Sequence, residues 1–446
     1  PVRPRGEQIP PLGGRGAARY AVAAMLDIRR LRETPETVKT LLALRGPGIA
    51  GLVDDVLAAD IERRTNETRW QQLQAERKGL SKEIGALRAK KEDSTALEEQ
   101  SKKLGAEMES LQTASALAEE KQRDLLLSIP NTPHDEIPRG TDASANPVLR
   151  TWGEPPAIPG AQDHVAIGTR LALFDPERAA KMSGSGFMCY TGQGARLERA
   201  LISFLLDLHT RDHGYTEMSP PFLVNRTTMT GTGQLPKFED DLFGVSGSDL
   251  FLVPTAEVPV TNFHSGEILP AENLPLKYAA YTPCFRREAG STGRETRGLI
   301  RMHQFDKVEL VKITRPENSA AELESLTADA ERVLQLLGLP YRVIELCGGD
   351  LGFGAGRTYD IEVWAAGHGG WLEVSSCSNF GDYQARRMGL RYKGADGKNH
   401  FCHTLNGSGT ALARLYVALL ENGQQPDGSV HLPEILHPYF GAARLS

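Results

Sequence analysis

No run of about 18 apolar residues occurs anywhere in the 446-residue chain, so no segment has the composition of a membrane-spanning helix and no membrane association is expected. Cysteine is scarce. Cys189, Cys284, Cys347, Cys377 and Cys402 contain no C-x-x-C pair and are odd in number, which suits a reducing compartment. Cys402 and His403 with His400 lack zinc-ligand spacing and read as structural residues. A dominant charge is missing as well: 51 Lys and Arg oppose 57 Asp and Glu, for a net charge of -6. That excludes a uniformly basic nucleic-acid coat but leaves room for a local basic groove. Also absent is G-x-x-x-x-G-K-[ST], so a nucleotide site here would not be a P-loop. The glycines of "GGDLGFGAGR" run into strand-like "TYDIEVW" rather than a helix, so they are not a dinucleotide fingerprint.

What is present begins with residues 1–24, an Arg-, Gly- and Pro-rich basic extension holding a single acid. It reads as the end of an organelle transit segment or as a disordered tail, and a start at Pro1 reads as a processed or truncated chain. From Leu26 to about Leu127 the composition is helical. Leu52, Val56, Ala59, Trp70, Leu73, Leu80, Ile84 and Leu87 trace a heptad seam, interrupted at Asn66 and Arg77. The pattern breaks at "KKEDST", and Thr95 with Glu98 reads as a capping box that restarts a helix. A second seam runs through Leu97, Leu104, Met108, Leu111, Ala118 and Leu125, until "SIPNTPHDEIP" ends it. The spacing predicts an antiparallel helical hairpin reaching roughly 50 Å. It is either a stalk or a lever to a distant partner, and its balanced charges favour a solvated face over nucleic-acid binding.

From Asn146 the texture changes to short β-rich runs between a few helices. "GARLERALISFLLDLHTRDHG" predicts an amphipathic helix stopped at Gly214, "YTEMSPPFLV" a strand, and "NSAAELESLTADAERVLQLLGL" a second helix. Strands are not regularly interleaved with helices, so the expected class is α+β with an antiparallel sheet.

The densest chemistry lies in "TPCFRREAGSTGRETRGLIRMHQFDKVELVKI". Arg286, Arg287, Arg294, Arg297 and Arg301 crowd one hairpin together with Glu288, Glu295 and Glu309. Arg301, Phe305 and Glu309 recur at spacing four, which places them on one face of a returning strand. Guanidinium groups fork onto phosphate oxygens, an aromatic face stacks on a base, and a carboxylate holds an ammonium or an exocyclic amine. That set fits a nucleotide beside an amino acid. "HTLNGSGTALARLYVALLENGQ" reads as a turn of small residues leading into a helix from about Thr410. Arg414 lies near its anion-attracting end, or alternatively snorkels from a buried helix.

Together with "LDIRRLRETPETVK", "LSKEIG", "LLLSIPNTPHDEIP", "GTGQLPKFEDDLF", "LVPTAEVP" and "LEVSSCSNFGDYQARR", these stretches resemble seryl-tRNA synthetases, a class II aminoacyl-tRNA synthetase family. The resemblance runs from about Met25 to about Gly441. It implies a 25–135 domain whose hairpin (about 52–127) binds tRNA(Ser), and a 146–441 catalytic domain with a 442–446 tail. It also implies a homodimer built on the "GARLERALISFLLDLHTRDHGYTEMSPPF" motif. The expected activity is ATP-dependent formation of seryl-adenylate and transfer of serine to the tRNA 3′ end. The alternatives are a non-catalytic RNA-binding or scaffold paralogue, or another class II small-amino-acid ligase.

By the same resemblance, Arg286 binds the ATP α-phosphate and the L-serine carboxylate. Arg287, Glu288, Arg301 and Phe305 serve the nucleotide, with Phe305 stacked on adenine. Thr255, Ala256, Glu257, Glu309, Asn406 and Ser408 serve L-serine. Glu373, Val374, Ser375 and Ser376 serve ATP, with Glu373 and Ser376 holding Mg²⁺, and Arg414 grips the γ-phosphate. Residues 289–300 would approach the acceptor end. "NFGDYQARR", which differs from the family at Phe380, Gly381 and Tyr383, is expected to touch none of these roles. The basic leader points to an animal mitochondrial form and the mitochondrial matrix, with a bacterial cytoplasmic enzyme as the alternative.

Overall fold

The computed structural model describes residues 26–289 and 298–446. The basic leader, Arg294 and Arg297 lie outside them. Helix α1 (Leu52–Lys90) and helix α2 (Thr95–Ser128) form an antiparallel hairpin. The 39 residues of α1 give a reach of about 58 Å. Lys91 closes α1 in the left-handed region, at φ 58°. Of the heptad positions, Val56, Ala59 and Leu73 of α1 and Met108 and Ala118 of α2 are buried, and the others, such as Leu80, Ile84 and Leu104, are half-buried. Arg77, an interruption on paper, lies over Gly105, where an added Cβ would meet its guanidinium at 3.5 Å. Arg69–Glu107 and Arg88–Glu98 tie the helices across their exposed edges at 3.0 and 2.9 Å. The cap sits one residue earlier than the T-x-x-E spacing suggests. Ser94 is the N-cap of α2 and donates through Oγ to Glu98, while Thr95 donates from its amide and its hydroxyl to Asp93 Oδ1.

At its base the hairpin packs on short helices Ile28–Glu33 and Pro35–Ala43, around Leu31, Val38, Leu42, Val53, Val56, Leu126 and Ile129. Asp60 is only 1% exposed there. Its carboxylate takes bonds from Arg32 (2.7 and 2.6 Å) and from Gln122 (2.9 Å).

The second half is an eight-stranded sheet of β1 (Val148–Trp152), β2 (Thr216–Met218), β3 (Leu276–Phe285), β4 (Gln304–Thr314), β5 (Tyr341–Glu345), β6 (Arg357–Ala365), β7 (Gly370–Gly381) and β8 (His403–Ala411). The order is β1-β5-β6-β7-β8-β4-β3-β2, antiparallel except for the parallel β2–β3 edge. This is the antiparallel α+β architecture that the strand spacing predicts. Helices α3 (Gly192–Asp207), α4 (Ser319–Leu336) and α6 (Leu412–Gly423) bury Leu197, Leu201, Leu326, Val333, Leu415 and Leu419 in the main core. A short helix α5 (Tyr383–Met388) follows β7. Among the described residues no helix is long and apolar enough to cross a membrane.

Two local expectations change. "YTEMSPPFLV" is two strands, β2 and Leu223–Asn225, because Pro220 and Pro221 carry no N–H for a ladder. "HTLNGSGTA" is not a turn but strand β8, and the helix after it starts at Leu412 rather than Thr410. Its glycines mark close packing: a Cβ on Gly407 would come within 2.7 Å of Cys377 Sγ.

Candidate active site

The central strands of the sheet border a cleft of about 530 Å³. Strand β4 supplies its floor. Phe305, Lys307 and Glu309 alternate along it, so a period of two turns all three to the same side. Arg301 is not on that strand, which begins at Gln304, but on the segment entering it. It still lines the cleft, with Nη1 2.6 Å from Glu288 Oε2. Glu288 itself holds a positive φ of 50°, rare for a residue with a side chain. Arg286 lies with its guanidinium carbon 5.2 Å from the centre of the Phe305 ring and donates from Nε to Pro254 O at 3.3 Å.

The inner end holds two buried carboxylates. Glu309 takes a bond from Asn406 Nδ2 at 2.7 Å and an ion pair from Lys307 Nζ at 2.5 Å. Registers explain the cluster: Ser408 pairs with Glu309 across β8–β4, and Asn406 with Ser378 across β8–β7. Glu257 receives Gln384 Nε2 at 2.6 Å, and Gln384 Oε1 in turn accepts from Thr404 Oγ1 at 2.7 Å. The Glu257 amide donates to Thr255 Oγ1 at 3.2 Å. Burial, then the neighbouring Glu309 charge, push the Glu257 carboxyl up to about 7. "NFGDYQARR" therefore does reach the site, through Gln384 and through Phe380, which lines the cleft.

The third wall is β7. A register shift between Glu373 and Ser375 changes the strand's parity, so Glu373 joins Ser376 and Ser378 on the cleft side, with Val374 beside them. Ser375 faces the other way and donates from Oγ to Ser408 O at 2.7 Å. Behind Glu373 lies Asp360, whose carboxyl is raised well above its usual range by burial and then by Glu373. Arg414, third in α6, bonds Glu373 O at 2.8 Å and approaches Glu373 Oε2 at 3.6 Å.

Of the residues the sequence singled out, Thr255, Glu257, Arg286, Glu288, Arg301, Phe305, Glu309, Glu373, Val374, Ser376, Asn406, Ser408 and Arg414 all line this one cleft. Ala256, Arg287 and Ser375 do not. Ala256 is fully buried, Arg287 is exposed with its amide on Asp241 O, and Ser375 is turned inward. Sequence reasoning missed Lys307, Met302, Phe238 and the Gly352–Ala355 loop. Lys307 was findable, as the middle member of the alternating β4 triplet. The loop is the stretch set aside because its glycines do not fit a dinucleotide motif.

Comparisons with known proteins agree across the chain. A model of the seryl-tRNA synthetase N-terminal domain matches residues 25–133, and a model of the class II tRNA synthetase core domain (G, H, P, S and T) matches 238–423. A serine–tRNA ligase of Akkermansia muciniphila is 58% identical over 94% of this chain and 98% of its own length. The seryl-tRNA synthetase of Pyrococcus horikoshii, solved with ATP, superposes with a TM-score of 0.88 at 37% identity, covering 94% of this chain and 99% of its own. The cytoplasmic serine–tRNA ligase of Naegleria fowleri, solved with AMP, gives 0.84 at 28% identity over 94% and 98%. The chain belongs to the seryl-tRNA synthetase family of class II aminoacyl-tRNA synthetases.

Proposed function

We propose that the chain activates L-serine with ATP to seryl-adenylate and transfers the seryl group to the 3′ end of tRNA(Ser). The observation that carries this is the placement of Arg286 between an aromatic face, Phe305, and a polar pocket holding Glu257 and Glu309. A nucleotide base on Phe305 and a small ammonium-bearing acid at the carboxylates would both present their anionic groups to one guanidinium. The serine carboxylate is ionised at neutral pH and needs no general base. One of its oxygens attacks the α-phosphorus in line, the bond to the bridging oxygen breaks, and pyrophosphate departs. Arg286 neutralises the α-phosphate and Arg414 the γ-phosphate, so catalysis is positioning and charge compensation. A ribose hydroxyl of the tRNA then attacks the seryl carbonyl, and AMP leaves.

Serine would be recognised through Thr255, Glu257, Glu309, Asn406 and Ser408. A pocket built to bond a hydroxyl rejects alanine because its polar groups are left unpaired. Glu373 and Ser376 offer hard oxygen donors suited to Mg²⁺, with Asp360 Oδ1 buried and without a hydrogen-bond partner beside them. Among the described residues no cluster of three or more His, Cys, Asp or Glu forms a cage. When bound, the ion supplies further charge neutralisation.

Cys377 takes no part. It is fully buried and its thiol is pushed up to about 12 by burial. The hairpin would reach the body of tRNA(Ser), α3 would build a homodimer, and residues 289–300, mostly outside the described residues, would meet the acceptor end. The bacterial relative at 58% identity favours the cytoplasm over the mitochondrial matrix. The test is ATP–pyrophosphate exchange without tRNA, with serine, threonine, alanine and glycine in parallel. Exchange with serine alone is expected, and no exchange from folded protein with Mg²⁺ would leave a non-catalytic RNA-binding paralogue.

A further inference from the structure

Strand β8 carries Asn406 and Ser408 and leads directly into the helix of Arg414. Its ladder with β4 is interrupted where this matters: the register shifts between Ser408 and Ala411. A bulge leaves backbone carbonyls without ladder partners, and buried carbonyls need substitutes. Two side chains supply them from opposite directions. Ser375 Oγ, from β7, donates to Ser408 O at 2.7 Å. His209 Nε2, from the π-helical turn Leu208–Asp212 that extends α3, meets Gly409 O at 2.8 Å. Both side chains are essentially inaccessible, His209 at 0% and Ser375 at 1% exposure.

The geometry fixes the histidine's tautomer. A carbonyl only accepts, so Nε2 carries the hydrogen. His209 Nδ1 lies 3.0 Å from His213 Nδ1. In the neutral ring it is the acceptor, and His213 donates. Burial keeps the ring neutral, pushing its pKa down to about 4. Approach is so close that a Cβ on Gly409 would lie 2.6 Å from His209 Nε2. The glycine is thus required by the histidine.

We propose that His209 and Ser375 are positioning residues that clamp the β8 bulge in the form that presents Ser408 to the substrate serine. This rests on the serine-activating reading above. The clamp acts on the amino-acid end of the cleft. The base end is built on β3 and β4, through Arg286, Glu288 and Phe305, so it should be spared.

The test uses the full chain with Ser375→Ala, His209→Leu and His209→Gln. Two measurements are made: serine-dependent ATP–pyrophosphate exchange, and hydrogen–deuterium exchange of the peptide covering His403–Leu412 without substrates. Loss of one donor to a buried carbonyl is expected to raise the serine KM about tenfold in Ser375→Ala and His209→Leu, with the ATP KM rising by a clearly smaller factor, because of the ATP-binding groups only Arg414 follows the bulge. His209→Gln keeps an N–H donor and should restore the serine KM to within about threefold of the parent. The β8 amides should exchange faster in the first two variants. A serine KM unchanged in Ser375→Ala, or equal rises for serine and ATP without rescue by Gln, would overturn the clamp. If His209→Leu does not fold, Ser375→Ala decides. If the parent shows no serine-dependent exchange, the functional reading fails instead, and deuterium uptake decides the clamp: unaltered β8 uptake in Ser375→Ala refutes it.

Discussion

Glu257 offers the sharpest quantitative test of the site. It sits 7% exposed, and burial first, then the Glu309 charge, raise its carboxyl to about 7, with the Gln384 bond, Lys307 and Arg286 lowering it only in part. In the proposed role it meets the serine ammonium as an anion. The free site must therefore lose a proton before serine binds whenever the pH lies below about 7. Apparent serine KM then scales as one plus the ratio of protonated to ionised Glu257. Between pH 7.5 and pH 6 that factor grows about eightfold, while kcat stays level because the bound complex is already ionised. Glu257→Gln cannot titrate. Its serine KM should be flat over the same interval and, at pH 7.5, about 10- to 100-fold above the parent for loss of a charge-assisted bond. The substitution should also show the opposite sign in stability. A carboxyl raised above its unfolded value costs nothing below the unfolded pKa, and the cost grows as pH rises towards the folded one. Above that it levels off at about 3 kcal/mol. Glu257→Gln should thus melt higher than the parent at pH 8 without substrate. The assays are pyrophosphate exchange from pH 6 to 7.5 and thermal melting at pH 8. A parent KM that does not change with pH, or a Gln variant that keeps the dependence, would refute the reasoning.

Arg414→Ala should lower pyrophosphate exchange by about 10³-fold, on the scale of removing a transition-state charge partner, with the elution volume on gel filtration unchanged. Exchange at the parent rate would remove Arg414 from the phosphate site. Deleting residues 60–123 should leave exchange within about twofold, since adenylate chemistry lies in the cleft, but reduce tRNA charging by at least about tenfold. Equal charging would make the hairpin structural only. Asp60→Asn should cost about 2 kcal/mol in urea unfolding, because Arg32 and Arg63 lose their buried partner. Burial alone would raise the Asp60 carboxyl, but bonds from Arg32 and Gln122 hold it below its usual range. Its contribution is therefore present above about pH 4 and fades as pH falls through the folded value, so parent and variant should converge in acid.

Periodic features were the legible ones. The heptads name the residues that meet in the hairpin, because each helix needs only its own stripe to show. What lies across the stripe is invisible in one strand of text: Arg77 looks like a defect until Gly105 is placed opposite it. The alternation of Phe305, Lys307 and Glu309 is likewise written in the sequence, whereas the parity change in β7 is not. "EVSS" as an uninterrupted strand would put Glu373 and Ser375 on one side. The bulge instead sends Ser375 to the core and groups Glu373 with Ser376. "NGSG" misleads for a related reason. Small residues usually mark turns, but here they let Cys377 and His209 approach a buried strand. Gln384 could not be read at all, since its partner Glu257 is 127 residues away in sequence.

The hairpin and the cleft share one short helix, and the bonds that join them are of a particular kind. From α5, Tyr383 Oη donates to Ile129 O at 2.8 Å and Arg387 Nη2 to Leu127 O at 3.3 Å, both at the foot of α2. Asn131 donates to Phe380 O at 2.8 Å and Gly354 O at 3.0 Å, and Arg45 donates to Leu351 O and Gly352 O at 3.0 and 3.1 Å. Phe380, Gly352 and Gly354 all line the cleft. These are side-chain donors on backbone carbonyls, beside one ion pair from α5, Arg386 to Asp27 at 3.2 Å. Each adds little net energy, but leaving such a buried carbonyl bare costs more than the bond gains. Such a junction fixes an angle more than it adds adhesion. The same helix holds Glu257 through Gln384, so the direction of a hairpin about 58 Å long and the placement of the carboxylate proposed for the serine site are set by one element. All of these junction residues lie outside 60–123. Cutting the hairpin there should therefore remove its reach while leaving the cleft that its foot helps to shape.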